Sequence, residues 1–209
     1  SHCGPGINNR RFDWLGRMIQ EEKPQIVVDI GDFYSMSSLS SFERPGSAKF
    51  ASQNYVDDIL PGIDAQWRLW SAIKDMDEPP RMVRCLGNHE YRLNRVLEQD
   101  PRQLYGLIST VHFSSSLFGW EENPYMSPVT IQGIAFCHYY KEKGSYTTKH
   151  LAANALSTRH ESWVFGHAHR FDYKREGSAM AACSGCFFEH NEDWLSESSQ
   201  EHWDRGILI

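Results

Sequence analysis

The chain has 209 residues, 40% of them hydrophobic and 23% charged, and a formal net charge of -6. That length suits one hydrophobic core better than two independent ones, and the composition is that of a folded globular chain rather than a disordered or membrane-resident one. The acidic balance argues against broad, salt-driven binding to nucleic acid.

Phe12, Leu15, Met18 and Ile19 recur at helical spacing between Arg10 and Gln20, and Pro24 marks the exit of this first helix. A short buried strand is expected at residues 25–30. Ile63, Trp67, Trp70, Ile73 and Met76 outline a second amphipathic helix, ended by Pro79-Pro80. A strand at 82–86 follows, then a helix carrying Leu93, Val96 and Leu97 that stops near Asp100-Pro101. Val129 to Cys137 reads as a strand with Gly133 at a bend or close contact. Residues 149–156 suit a helix, 162–165 a short strand, and 179–188 an extended segment. An acidic, aromatic stretch around Glu192, Trp194 and Trp203 follows, and Gly206-Ile207-Leu208-Ile209 again reads as strand. The apolar runs are far too short to cross a bilayer. Five cysteines, with Cys3, Cys85 and Cys137 in or beside expected strands, read as buried thiols of a reducing, cytoplasmic compartment. Cys183-Ser-Gly-Cys186 has zinc-ribbon spacing but no second such pair, which favours buried thiols there too.

The polar residues of interest fall at or just beyond the ends of these strands. They are Asp32 after Gly31, Asn88-His89-Glu90 after Gly87, His138 after Phe136-Cys137, and His167 and His169 after Gly166, with His2 near the start. Strand-end loops of neighbouring strands converge on one rim, where α/β proteins place their sites. Singly, each has a plain structural reading. Asp32 suits a cap, Asn88 a turn and His138 a hydrogen-bonded core histidine. His167 and His169 alternate along an extended segment, so both face one site only if the backbone turns between them. Jointly, imidazoles, one carboxylate and one amide oxygen form an N/O donor set suited to Mn, Fe, Zn, Ni or Co. A pair of divalent ions about 3.5 to 4 Å apart can clamp a phosphoryl group and activate a water.

In this order the motifs resemble those of the calcineurin-like metallophosphoesterases, whose signature runs Asp-x-His, Gly-Asp, Gly-Asn-His-Glu or -Asp, a lone His, and Gly-His-x-His. The resemblance spans residues 2–169. It implies an α/β fold, a four-layer α-β-β-α sandwich with two mixed sheets packed face to face, in a single domain. It also implies two divalent metal ions, manganese first, with Fe, Zn, Ni, Co or Mg as alternatives. Asp32 would bridge them, His2 and His169 would complete the first, and Asn88, His138 and His167 the second. His89 would lie outside this ligand set and face the substrate, stabilising charge on the phosphoryl oxygens or protonating the leaving oxygen, with Glu90 orienting its imidazole. Arg92 is a candidate for bidentate phosphate binding, or else a solvated helix-face arginine. The implied activity is a phosphodiesterase acting on a nucleotide or nucleic-acid phosphodiester through a hydroxide bound to two metals. The alternatives are a phosphomonoesterase and a non-catalytic binding scaffold; similarity to compact members carried by phages and bacteria favours the diester.

The chain departs from the signature at one point. An aspartate is expected two residues before His2, where the chain starts at Ser1. The preferred reading is that the first strand is missing and the domain truncated at its N-terminus, the alternatives being that Ser1-His2 is foreign to the motif or that the first motif is truly lost. The loop from Phe33 through Ser38 towards Pro45-Gly46 leaves directly from Asp32, and Tyr34 or Phe33 is a candidate for stacking on a base. The segment 119–123 either lines the same cleft or forms a surface turn. Trp194 and Trp203 are candidates for a partner surface, an oligomer contact or burial.

Overall fold

A computed structural model describes residues 1–41, 53–140, 149–189 and 200–209; Pro45, Gly46, Glu192 and Trp194 lie outside the described residues. Helix α1 (Arg11–Glu22) buries Phe12, Gly16 and Ile19 and ends at Lys23, which turns left-handed (φ 48°) ahead of Pro24. Strand β1 (Ile26–Asp29) follows. Helix α2 (Tyr55–Ile73) starts two turns before the apolar pattern suggested. Asn54 caps it by accepting the Asp57 N–H at 3.0 Å, and Pro61 is accommodated inside it. Its buried face carries Ile59, Ala65, Leu69 and Ile73, whereas Trp67 points outward at 56% exposure.

Strand β2 (Arg81–Cys85), helix α3 (Asn88–Gln99), the short helix α4 (Pro101–Leu104) and strand β3 (Trp120–Asn123) complete the first half. Strands β1, β2 and β3 form a parallel three-stranded sheet in that order, with Ile26 opposite Arg81 and Met82 opposite Trp120. The segment expected either to line the cleft or to form a surface turn is therefore an edge strand.

The second sheet contains β4 (Val129–Ile131), β5 (Ile134–Phe136), β6 (Trp163–Phe165), β7 (Phe171–Glu176) and β8 (Ala179–Ser184), ordered β4-β5-β6-β8-β7. Strands β5, β6 and β8 are parallel, and the outer β4 and β7 are antiparallel to their neighbours. The single strand expected at 129–137 is a hairpin. Gln132 and Gly133 take φ 51° and 81°, the two positive angles of a tight turn whose twist matches its strands. Helix α5 (Leu151–Arg159) packs on this sheet through Leu151, Ala152, Ala155 and Leu156. The chain is thus α/β with two sheets, and each sheet has its own apolar cluster: one with α1, α2 and α3, the other with α5. Among the described residues no helix is long and apolar enough to cross a membrane.

A buried arginine organises the first sheet. Arg84 is fully buried, its guanidinium lying 3.9 Å from the Phe33 ring centre and 4.3 Å from that of Trp120. It donates to Asp29 (2.7 Å), Gln66 (2.8 Å) and Ser115 (3.0 Å). Phe33 and Tyr34 consequently belong to the core, at 2% and 0% exposure, and Tyr34 donates to the Phe113 carbonyl at 2.8 Å. Neither can stack on a substrate base, which corrects that expectation. The Arg84→Met variant keeps most of the side-chain volume but leaves the Asp29 carboxylate without its guanidinium. A stability loss of about 3 kcal/mol is expected, read from the urea midpoint at constant m-value; an unchanged midpoint would show that the arginine is dispensable.

The other edge of β1 pairs with no strand among the described residues. Residues 1–3 lie beyond its end and run parallel to 32–34: the N–H groups of His2 and Cys3 donate to the carbonyls of Asp32 and Phe33, each at 2.7 Å. Beside the open edge is a cavity of about 460 Å³ lined by Ile26 and Val28 of the first sheet and by Ile134, Phe136 and Val164 of the second. The loops that follow β1, β5 and β6 line this space, and the loop after β2 meets them at Asp32 and His138.

Candidate metal centre

Close backbone approach builds the site. Gly31 has φ 96°, and a Cβ on it would lie 2.8 Å from the Gly87 nitrogen and 2.9 Å from His138 Nδ1. A Cβ on Gly87 would collide with the carboxylate and amide of Asp32. Only glycine lets these loops come so close. The buried Glu90 carboxylate ties them together, accepting the backbone N–H groups of Gly87 (2.7 Å), Tyr34 (2.8 Å) and Asp32 (3.1 Å). The sequence predicts that Glu90 orients the His89 imidazole; instead it clamps backbone. Burial and the Asp32 charge push its carboxyl up, against the pull of the Tyr34 and Gly87 N–H groups.

His2, Asp32, His167 and His169 all take positive φ, at 51°, 51°, 66° and 56°. Such angles are costly for non-glycine residues and gather at functional sites. At His167 and His169 they supply the turn that lets alternate residues approach one centre.

Asp32 is 4% exposed. Its Oδ1 accepts the His89 N–H at 3.0 Å, leaving Oδ2 to face 3.3 Å to His138 Nε2 and 3.6 Å to His2 Nε2. His138 Nδ1 lies 2.8 Å from the Ile30 carbonyl, which can only accept, so Nδ1 carries the proton and the Nε2 lone pair points into the site. That Nε2 stands 3.0 Å from Asn88 Oδ1 and 3.2 Å from His167 Nδ1. Two ligand atoms each about 2.1 Å from one ion stand roughly 3.0 to 3.4 Å apart at ordinary coordination angles, which is the spacing seen here. Without a cation, a lone pair would face two oxygens. A proton on Nε2 relieves this, and His138 is accordingly raised: burial, the largest single influence, lowers it, but the Asp32 charge, the bonds to Asp32 and the Ile30 carbonyl and the Glu90 charge together outweigh burial.

The donor atoms form two groups, His2-Asp32-His89 and Asp32-His138-His167, each with all atoms within 4.8 Å of one another. Asp32 belongs to both. Burial pushes its carboxyl up, yet the charges of His138 and His89 and bonds from His138 and His2 hold it well below the usual carboxylate range. Burial, aided by neighbouring histidines, lowers His167 to about 4 and His169 to about 2. Both are neutral near pH 7, the form that ligates metal. His169 lies next to His2 with ring centres 5.0 Å apart, and Trp203 packs edge-on against it at 4.7 Å.

His89 stands apart. Its Nδ1 donates to the Ser35 carbonyl at 2.8 Å, and its Nε2, 3.9 Å from Asp32 Oδ2, accepts from Arg92 Nη2 at 3.1 Å. Burial lowers it to about 3, with the charges of His2 and Arg92 acting the same way against that of Asp32. Arg92 is 8% exposed and also donates to the carbonyls of Ser35 (3.0 Å) and Met36 (3.3 Å). It is neither a solvated arginine nor poised to fork onto a phosphate; it secures the 35–36 loop and the His89 ring. The i, i+3 spacing of His89 and Arg92 on a helix was the available signal for this pair. Tyr91 and Tyr125, near Asn88 and His138, escaped the sequence reading altogether.

The Asp32, Asn88, His138 and His167 donors fit a divalent cation: each is N or O, the other three stand 3.0 to 3.3 Å from His138 Nε2, and the imidazole Nδ1 of His138 is held by a backbone carbonyl. The second group, His2-Asp32-His89, is looser and does not include His169. Comparison with models of protein families, with curated proteins and with solved structures finds no match.

Proposed function

We propose that the protein is a phosphoesterase working with two divalent metal ions, preferably manganese, and that its substrate is a nucleotide or nucleic-acid phosphodiester. The observation that carries the reading is the Asp32 carboxylate, one oxygen of which faces both His2 Nε2 and His138 Nε2. Bound ions would supply Lewis acidity towards the phosphoryl oxygens and a nucleophilic water.

The protein's own residues divide the remaining work. Asp32 would hold both ions, with His2 and His169 as further ligands to one and Asn88, His138 and His167 to the other. The Ile30 carbonyl fixes the tautomer and plane of His138. Glu90 holds the Asp32 and Gly87 backbones at their separation. Proton donation does not fit His89, whose Nδ1 proton is engaged by Ser35 and whose Nε2 has none; any stabilisation of charge there would come through the Arg92 guanidinium bonded to the ring. Two separate helix-on-sheet clusters with a cavity between the sheets support the four-layer metallophosphoesterase architecture. Five buried free cysteines support a reducing, cytoplasmic setting.

The test is metal analysis of protein purified without chelator, with turnover of bis(p-nitrophenyl) phosphate measured beside p-nitrophenyl phosphate. Two ions per chain are expected, with diester turnover lost on chelation and restored by manganese. A strong monoester preference would make the protein a phosphatase. No bound metal and no metal-dependent turnover would leave a binding scaffold.

A further inference from the structure

We infer that Tyr91 and Tyr125 form an aromatic platform beside the metal centre that receives the base of a nucleoside phosphate ester. This deepens the phosphoesterase reading and rests on it. Tyr91 lies three residues after Asn88 on α3 and so shares its helix face. The Tyr91 and Tyr125 rings stack with centres 5.1 Å apart and planes 30° apart. Tyr125 in turn lies 6.3 Å from the His138 ring, whose Nε2 is 3.0 Å from Asn88 Oδ1. An unbroken path of rings thus runs from the donor atoms outward to Tyr91.

Tyr91 is 40% exposed although it packs on Tyr125, so it presents ring surface to an incoming group. Tyrosine has few rotatable bonds, and stacking on a neighbour holds the ring in place before binding, which limits the entropy cost of receiving a ligand. With the phosphate at Asn88 and His138, a base carried on a sugar reaches past Tyr125 to Tyr91, whereas a bare sugar phosphate offers nothing to stack. Base–aromatic stacking accepts any base, so the platform selects nucleoside esters without selecting sequence.

Calorimetric titration of the manganese-loaded protein with thymidine 5′-phosphate and with ribose 5-phosphate tests this. The nucleotide is expected to bind about tenfold more tightly. Tyr91→Leu should remove that preference and Tyr91→Phe should retain it; Tyr125→Leu, which removes the support, should also weaken it. In the same variants the KM for thymidine 5′-(p-nitrophenyl phosphate) should follow the nucleotide affinity. Equal binding of the two ligands by the unaltered protein, or a preference that survives in both leucine variants, overturns the platform while leaving the metal centre standing. Absence of binding by either ligand together with absence of metal-dependent turnover overturns the phosphoesterase reading, and the platform with it.

Discussion

Asp32→Asn should cost the protein both ions and nearly all turnover. The asparagine keeps an oxygen where Asp32 Oδ1 accepts the His89 N–H at 3.0 Å, so the local backbone is supported. What disappears is the negative charge at Oδ2, which faces His138 Nε2 at 3.3 Å and His2 Nε2 at 3.6 Å. Even groups that only orient metal ligands are worth about 10- to 100-fold in metal affinity, and a shared anionic ligand should exceed that for each ion. Turnover should fall by about a thousandfold or more, equivalent to about 4 kcal/mol of transition-state stabilisation. Metal content by mass spectrometry and diester turnover measured on the same preparation check it. A variant that retains one ion at unaltered affinity would show that the carboxylate is not shared.

His89→Ala should separate metal binding from chemistry. Both ring nitrogens are engaged, by the Ser35 carbonyl and the Arg92 guanidinium, so the ring is not needed to hold an ion. The variant should keep two ions and lose about 10²- to 10³-fold in turnover, the range typical of losing one group that stabilises charge on the reacting atoms. Asn88→Ala should do the reverse at one ion, weakening the metal of the His138 group. If His89→Ala strips metal instead, His89 is a ligand, as its 3.9 Å approach to Asp32 Oδ2 would permit.

The elements that announce themselves by local pattern were legible in the sequence: α1 from its apolar spacing, β1 and β2 from short apolar runs, and the stop of α3 at Asp100-Pro101. Strand β3 was not, because Trp120 is buried by contacts from distant parts of the chain, the Arg84 guanidinium and the first apolar cluster among them. Strand β7 was missed because five of its six residues are exposed and the sixth is Asp172, which leaves no apolar alternation to read. Phe33 and Tyr34 next to Asp32 looked like a substrate platform, but aromatic composition is the same for a core and a cleft; burial under Arg84 and Phe113 decides it. At the site, residue types and order pointed to the donors. Their convergence depends on positive φ at His2, Asp32, His167 and His169, and a left-handed histidine or aspartate leaves no trace in the sequence as glycine does. Glu90 was assigned the wrong partner for a related reason, since its contacts are backbone amides and those have no letter.

The donors of the His138 group hang from different sheets. Asp32 and Asn88 follow β1 and β2, while His138 and His167 follow β5 and β6, and the His138 ring already reaches across to the Ile30 carbonyl at 2.8 Å. An ion held by all four binds only when the two sheets are apposed, so its affinity is also cohesion between them. At a free concentration one hundred times its Kd, such an ion adds about 2.7 kcal/mol, a large part of the roughly 5 to 15 kcal/mol that separates folded from unfolded domains. In the proposed reaction the charge that would act on phosphorus would then also be the rivet that keeps the two sheets together. Metal starvation would loosen the seam between the sheets before it disturbed either apolar cluster.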